Sequence, residues 1–553
     1  MEGSVRTVAA VILDLLARKG VTKAFGIPGV HNLGFWNALS KDRPEIISVR
    51  HEQSCVYAAD GLARATGTLS VAITTTGPGA ANTLGAFGEA ATSGSQLLLI
   101  SSEAPIKIRS KEGTRGILHE MRDQSAIFAP LAKRVSISGK ELVLAKNATT
   151  AIEAISTVVD FMEFLAQAPT GAGYIGIPSD ILNQEFTGQI PTPSKSCLDF
   201  INQEKNLAIN QELIKKMLEG VSKIGIWAGG GAQGVSNEIT KLSDHLNAPI
   251  FTSFAGRGVG GSSKNYFTLP IHEKEAEVVL TECEALLVFG SQLDGMNTKN
   301  WSINFPKKII IFDAYPDVAL RNIKADLVVR TANLAKACEA LTSLPARDQW
   351  IDVSNITAEG RQRIAQSEKG RAGMALVTAI EKSWPSENYI VCDMAISGYW
   401  TGVYLQSKRV RQIAYPVGWG TLGFALPASL GPAAAGISTL VVCGDGGIAF
   451  ALGELATVSQ EKLPLTILLH DDGGYGMLRF DQKVMNHPER GVNLFNPNWQ
   501  ILAQSFGIEF IESNLKTLAD ALRKRSTSKT PGIVLIKDEI YPPKSSSPRW
   551  NEN

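Results

Sequence analysis

The chain carries almost no net charge: 54 lysines and arginines stand against 53 aspartates and glutamates, a balance of +1. A protein without a basic field has little to draw it onto a phosphate backbone or an anionic bilayer, so neither nucleic acid nor membrane is an expected partner. Cysteine is scarce. The six, Cys55, Cys197, Cys283, Cys338, Cys392 and Cys443, are far apart and form no Cys-x-x-Cys pair, which fits neither a zinc knuckle nor a disulfide framework and suits a reducing cytoplasm. No apolar run reaches the ~18 residues that span a bilayer. Met1-Glu2-Gly3-Ser4 leads straight into the amphipathic stretch Val8 to Ala17, without the charged start, apolar run and small-residue site of a signal peptide. Short repeats and low-complexity tracts are missing too.

What is present is a long globular chain of 553 residues, 44% apolar and 19% charged, enough for about three domains. Short β-rich apolar runs alternate with longer helical patterns, which predicts an α/β protein of three doubly wound parallel-sheet domains. The first, over 1–188, has strands at Ala24 to Ile27, Leu69 to Thr74, Leu97 to Ile100 and Gly173 to Ile177, and closes at Pro178-Ser179-Asp180. A linker is expected over Gln189 to Lys195. The central domain, 198–345, has strands at Ile224 to Ala228, Pro249 to Thr252, Ala285 to Phe289 and Ile309 to Asp313. The last, 360–540, follows a charged helix-like stretch, Arg361 to Arg371, and has strands at Tyr389 to Cys392, Leu440 to Cys443, Leu465 to Leu469 and Ile533 to Lys537. A proline-rich tail, 541–553, ends the chain.

The richest chemistry lies in the last domain. The strand Leu440 to Cys443 runs into Gly444-Asp445-Gly446-Gly447, and the next strand, Leu465 to Leu469, is followed by His470-Asp471-Asp472. A glycine-rich turn from strand to helix lets backbone N–H groups approach a phosphate, and a hard cation can then bridge an aspartate to it. Asp445 and Asp472 fall at the carboxyl ends of consecutive strands, where α/β sheets bind ligands. Alone, Gly-Asp-Gly-Gly is an ordinary tight turn.

The joint pattern resembles the cofactor motif of the thiamine diphosphate enzymes, Gly-Asp-Gly followed after a fixed gap by Asn-Asn; here Asp472 follows Asp445 by 27 positions. The resemblance implies that Asp445, Asp472 and the carbonyl of Gly474 hold Mg²⁺, or another divalent cation, against the diphosphate. Asp471-Asp472 in place of Asn-Asn is a departure. Aspartate at the second position is similar to catabolic acetolactate synthases; aspartate at the first has no explanation in the sequence.

Thiamine chemistry needs a carboxylate beside the aminopyrimidine. Arg50-His51-Glu52-Gln53, followed by Ala58 to Gly67, resembles the family's glutamate-bearing segment and makes Glu52 the candidate; its plainer reading is a helix N-terminal acid. Thr74 to Asn82, with Gly77-Pro78-Gly79, looks like the turn set against the pyrimidine. Gly418 to Pro427 is similar to the segment whose apolar wedge bends the cofactor, here Leu422, with the Gly420 carbonyl on the amino group. Leu422 is otherwise core. The resemblance starts at Phe25-Gly26-Ile27-Pro28-Gly29 and covers nearly the whole chain. It assigns cofactor contacts to Gly29, Gly77, Asn82, Ser397, Gly398, Gly420, Leu422, Gly444, Asp445, Gly446, Gly447, Tyr475, Gly476 and Met477. It makes the three domains pyrimidine-binding, central and diphosphate-binding, with a homodimer or homotetramer whose sites lie at the subunit interface.

The nearest branch is that of acetolactate synthase-like enzymes and 2-oxo acid decarboxylases. His119 and Glu120, in Leu118 to Gln124, occupy the place where synthases carry a glutamine and pyruvate decarboxylases a histidine pair, so they are candidates to face the reacting carbons. A loop histidine is the alternative for His119. Tyr475 to Gln482 looks like a catabolic acetolactate synthase, whereas Gly26 to Asn32 is similar to decarboxylases of guanidino 2-oxo acids. Arg479 is either a substrate-carboxylate clamp or an exposed helix residue. Asp393 to Trp400 matches the diphosphate strand end at Asp393 and Trp400 but departs from it over 395–398. Ala228-Gly229-Gly230-Gly231-Ala232 reads as a packing turn rather than a dinucleotide loop. Gly290 to Gly295 lacks the run that binds FAD in acetohydroxyacid synthases, so no flavin is expected.

The implied reaction is decarboxylation of a 2-oxo acid, the remaining carbon being protonated to an aldehyde or ligated to a second carbonyl compound. Two alternatives stand beside it: a benzoylformate-type decarboxylase or hydroxyketone lyase, and a catalytically degenerate regulatory homologue. The substrate is open, as is whether the tail covers the site.

Overall fold

The computed structural model describes residues 6–110, 112–137, 139–205 and 211–546. Three helix-covered parallel sheets make it an α/β protein. The first sheet runs, in spatial order, Glu45–Ser48, Lys23–Gly26, Ser70–Thr74, Leu97–Glu103, Ala172–Pro178 and Ala145–Asn147, every pair parallel. The second runs Ile250–Thr252, Ile224–Ala228, Ala285–Phe289, Lys308–Asp313 and Leu327–Arg330. The third runs Ile413–Ala414, Tyr389–Cys392, Thr439–Gly444, Leu465–His470, Gly532–Ile536 and Glu509–Glu512. Central strands are buried on both faces, as Leu440 to Cys443 show, so they are continuous apolar runs without alternation.

Most expected strands appear within a residue or two of their place. The charged stretch Arg361 to Arg371 is not one helix: Val353–Gln366 ends before Ser367, and Arg371–Ser383 starts anew. The side chain of Ser367 accepts the N–H of Gly370 and closes the turn between them. An antiparallel hairpin, Arg134–Ile137 with Lys140–Val143, was not foreseen; it is largely exposed and has no apolar run to mark it.

By packing, the chain forms two compact units. One takes the chain up to Gln203 with Pro416–Ile437 and Phe450–Leu465; the other takes Glu204–Tyr415, Ser438–Ala449 and the chain from Thr466 on. In the first, the helix Glu52–Thr66 lies against the helix Ala425–Ala434. The approach is so close that a Cβ on Gly61 would fall 1.8 Å from the Ala428 carbonyl, and one on Gly431 2.0 Å from that of Ala58. Only glycine fits there. In the second unit the tail runs along the helix Ile396–Tyr404, where the Trp400 indole donates to the Tyr541 carbonyl at 2.7 Å. The rest of the tail, 547–553, lies outside the described residues. Among the described residues, no helix is long and apolar enough to cross a membrane.

Candidate active site

The first sheet reverses its strand order between Lys23–Gly26 and Ser70–Thr74, the kind of switch point where open α/β sheets bind ligands. Glu52 opens its helix beside this crevice. His51 is the N-cap, with its ring Nδ1 accepting the Gln53 N–H at 3.2 Å. Glu52 is half-buried rather than fully buried, because it sits at the exposed start of the helix. Asn82 donates to its Oε2 at 3.1 Å, and a Cβ on Gly79 would come 3.8 Å from its Oε1. Between them Gly77 takes a φ of 64°, its N–H held by Gln124 at 2.7 Å. The carbonyl of His119 lies where a Cβ on Gly77 would be, 2.5 Å away. Glu52, Gly77, Asn82 and His119 therefore gather around one turn. His119 itself is exposed. The Glu120 carboxylate closes its own loop, accepting the N–H groups of Arg115 and Ile117 at 2.8 and 3.3 Å. Gly29 packs on Thr75 and is pinned by Asn32.

Two buried acids that the sequence does not mark hold this half in shape. Glu454 accepts the backbone N–H groups of Arg50 and His51 at 3.0 and 3.2 Å and the Thr457 hydroxyl at 2.7 Å. It thereby fixes the turn that delivers Glu52. Glu89 accepts the N–H groups of Gly418 and Trp419 at 2.9 and 2.6 Å and pairs with Arg64 at 2.9 Å. It anchors the loop of Gly420 and Leu422. Leu422 lines a cavity of about 220 Å³ with His51, Tyr57, Phe450 and Pro427.

The second unit carries the candidate metal ligands. Asp445 and Asp472 end or follow neighbouring strands of the third sheet. Each has a buried carboxylate oxygen, Oδ1, with no protein partner. Burial raises the pKa of Asp445, and the Asp471 carboxylate adds to the rise while the Asn496 amide opposes it. Burial pushes the pKa of Asp472 up to about 6, with Asp445 adding to the rise while His470 and Arg479 oppose it. Such orphaned oxygens fit a cation. The Gly474 carbonyl faces Gly446, where a Cβ would lie 3.3 Å away, and the Tyr475 ring packs on the same glycine. The Asp472 carboxylate rests on Gly476, leaving no space there for a Cβ. Among the described residues no group of three or more His, Cys, Asp or Glu side chains forms a metal cage, so a cation here would draw on two carboxylates and a carbonyl from the protein.

Beside it, Ser397 is buried at the start of the helix Ile396–Tyr404, and its hydroxyl has no partner. Gly398 touches the Asp393 carbonyl and Gly447 its carboxylate. A free hydroxyl at a helix N-terminus next to a glycine-rich turn fits a phosphate oxygen. Met477 is half-buried on the helix Gly476–Val484. Arg479 is half-buried rather than exposed, and it donates to the Asp472 carbonyl at 2.9 Å and to Asn493 at 3.0 Å, clamping the loop after the strand Leu465–His470. Asp471 accepts from Asn496 and Trp499, two residues that no sequence motif singles out.

The pattern of family sequences described as the thiamine pyrophosphate enzyme N-terminal TPP binding domain matches residues 6–127, its central domain 212–341 and its C-terminal TPP binding domain 393–537. The chain belongs to the thiamine pyrophosphate enzymes. Within that family it is similar to the probable 2-ketoarginine decarboxylase of Pseudomonas aeruginosa, 28% identical over 91% of this chain and 88% of the relative. It is also similar to the acetolactate synthase of Bacillus subtilis, 25% identical over 95% and 92%. The probable acetolactate synthase large subunit of Methanocaldococcus jannaschii is 26% identical over 91% and 86%. This thiamine pyrophosphate enzyme therefore lies in the acetolactate synthase-like and 2-oxo acid decarboxylase branch. The Gly229–Gly231 turn of its central domain packs against the backbone of Gly290 and Ser291.

Proposed function

We propose that this thiamine pyrophosphate enzyme decarboxylates a small 2-oxo acid and either protonates the remaining carbon to an aldehyde or joins it to a second carbonyl compound. The observation that carries the reading is the pair of buried, unpartnered oxygens Asp445 Oδ1 and Asp472 Oδ1 at neighbouring strand ends. Asp445, Asp472 and the Gly474 carbonyl would hold Mg²⁺ or a similar ion, and Ser397 with the Gly444–Gly447 turn would hold the diphosphate. Thiamine diphosphate, when bound, supplies the electron sink for loss of CO₂. Glu52, its Oε2 fixed by Asn82, holds the proton exchanged with the aminopyrimidine. His119 moves a proton at the substrate. No flavin takes part. A homodimer or homotetramer, with sites shared between subunits in a cytoplasmic enzyme, belongs to the same reading.

The degenerate alternative draws on Asp471 and on the altered stretch 395–398; Asp471 has a use here, accepting from Asn496 and Trp499, and this favours an active enzyme. The test is direct. Thiamine diphosphate with Mg²⁺ is expected to raise the Tm, and a panel of 2-oxo acids including pyruvate and guanidino acids to release CO₂, with aldehyde, acetoin and acetolactate separated as products. Glu52→Gln should keep binding and lose turnover. An enzyme whose Tm ignores both ligands sinks the proposal.

A further inference from the structure

Two imidazoles meet at the switch point of the first sheet. His31 lies in the loop that leaves the strand Lys23–Gly26, and its Nδ1 is 2.9 Å from Thr76 Oγ1 in the loop that leaves the neighbouring strand. The His31 loop is pinned: buried Asn32 accepts the Gly29 N–H at 2.7 Å and donates to the Ile27 carbonyl at 3.0 Å. The His119 ring stands edge-on to that of His31, with centroids 6.1 Å apart and planes at 84°. His119 has a φ of 68°, a left-handed conformation that a non-glycine residue keeps only where its surroundings impose it. Both histidines lean on Thr76-Gly77, two residues before the glycine that faces the Glu52 carboxylate.

Thr76 is buried and its hydroxyl is 3.1 Å from Ser102 Oγ, so Nδ1 of His31 is engaged inward. Its Nε2 is the nitrogen left for a substrate. We propose that His31 is a second acid–base residue of this active site, standing beside His119 and exchanging a proton with substrate through Nε2. The proposal rests on the decarboxylase reading and adds to it the partner that His119 lacks in the sequence.

Electrostatics agrees with the geometry. Burial, then His119, then Arg109 lower the pKa of His31. Arg109 is itself paired with Glu103 at 2.8 Å, and the Glu103 carboxyl also feels Asp123; these are the charged groups that face or back the pair. Two imidazoles this close resist ionising together. When the product is an aldehyde, the N–H bond of the imidazolium breaks as a C–H bond forms on the carbon that has lost CO₂, and water returns a proton to the pair.

The test uses the full-length enzyme labelled with ¹³Cε1-histidine. Its seven histidines are titrated by NMR through the neutral range, the two signals being assigned with His31→Asn and His119→Asn. In His119→Asn the His31 midpoint should rise. In His31→Asn, kcat should fall about 100-fold and its pH profile should shift, while the Tm gain from thiamine diphosphate and Mg²⁺ stays. Thr76→Val, which frees the His31 ring without removing it, should shift the profile the same way. An unmoved His31 midpoint, or a variant profile parallel to the wild type, overturns the pairing. Turnover without coupling removes only this proposal; coupling without turnover of any 2-oxo acid removes the decarboxylase reading and the catalytic assignment with it.

Discussion

Asp471 and Asp445 share one donor: the amide nitrogen of Asn496 lies 2.7 Å from Asp471 Oδ1 and 2.5 Å from Asp445 Oδ2. The Trp499 indole gives Asp471 Oδ2 a second donor at 2.8 Å, and the Gly473 N–H adds a third at 3.1 Å. Asp471 thus uses one carboxylate oxygen to hold Asn496 and the other to hold Trp499, and Asn496 leaves Asp445 Oδ1 without a partner. This is a physical use for an aspartate where the resemblance leads one to expect asparagine.

Asp471→Asn keeps one acceptor oxygen and offers an N–H₂ where the second stood. One of the two side-chain donors loses its partner, at a cost of about 1–3 kcal/mol when that group is buried. We expect a Tm drop without Mg²⁺ and weaker Mg²⁺ binding by calorimetry, with Trp499→Phe costing stability in the wild type and less in the Asp471→Asn background. Full additivity would mean that Asp471 does not hold Trp499.

Glu454 carries a comparable load under Glu52. Its removal in Glu454→Ala leaves the N–H groups of Arg50 and His51 without their acceptor, so a loss of about 2–5 kcal/mol in urea unfolding is expected. Glu454→Gln retains one acceptor oxygen and should lose less than half of that. The functional readout is thiamine diphosphate affinity, which should fall in Glu454→Ala because the turn that aims Glu52 is released. Unchanged affinity in a folded Glu454→Ala protein would detach this acid from the site.

Glu89 joins the Leu422 loop to the Arg64–Asp60 pair, in which Arg64 donates to Asp60 at 2.7 Å. Glu89→Gln directs an amide N–H₂ at backbone donors and leaves the buried guanidinium short of charge. Breaking a buried network from one side costs about 3–5 kcal/mol, so the variant should unfold at markedly lower denaturant. An equal loss in Arg64→Met/Glu89→Gln would show that the loop contacts, rather than the ion pair, carry the energy.

How far the sequence reaches can be judged from these residues. The strands Ile224–Ala228, Ala285–Phe289 and Tyr389–Cys392 were bounded correctly, because a central parallel strand is an apolar run with polar ends. Glu45–Ser48, Ala145–Asn147 and Glu509–Glu512 were missed: they are short, lie at sheet edges, and carry polar or charged residues among few apolar ones. Asp445 and Asp472 were legible because a glycine turn and a fixed step mark them locally. Glu454 lies 404 positions from Arg50, and no periodicity reports a bond over that distance. The one available signal was an acid inside the otherwise apolar face Leu452, Leu455, Val458. Asn496 could have been suspected only as part of Asn496-Pro497-Asn498, where Asn498 caps the helix Trp499–Ser505 through a bond to the Ile501 N–H.

The buried Asp472 carboxyl gives a pH dependence of definite sign. Burial and the neighbouring Asp445 push the Asp472 carboxyl up to about 6, above its value of about 4 in an unfolded chain. Between those values the folded apoprotein holds a proton that the unfolded chain has lost, so this group's stabilising contribution is present at low pH and is lost as pH rises through about 6. Its full size is at most about 3 kcal/mol, because every pH unit separating the folded from the unfolded value is worth about 1.4 kcal/mol. On the proposed function a divalent ion would replace that proton, so Mg²⁺ should raise the Tm strongly at pH ~7 and weakly at pH ~5. Asp472→Asn keeps an oxygen ligand but has nothing to protonate. The difference in unfolding free energy between the apo variant and the apo wild type should therefore grow in the variant's favour from pH ~4 to ~7, while its Mg²⁺ response becomes weaker and nearly independent of pH. Parallel apo curves for the two proteins would show that Asp472 is already ionised at low pH, and that the buried oxygen at this position is satisfied without a proton or a metal.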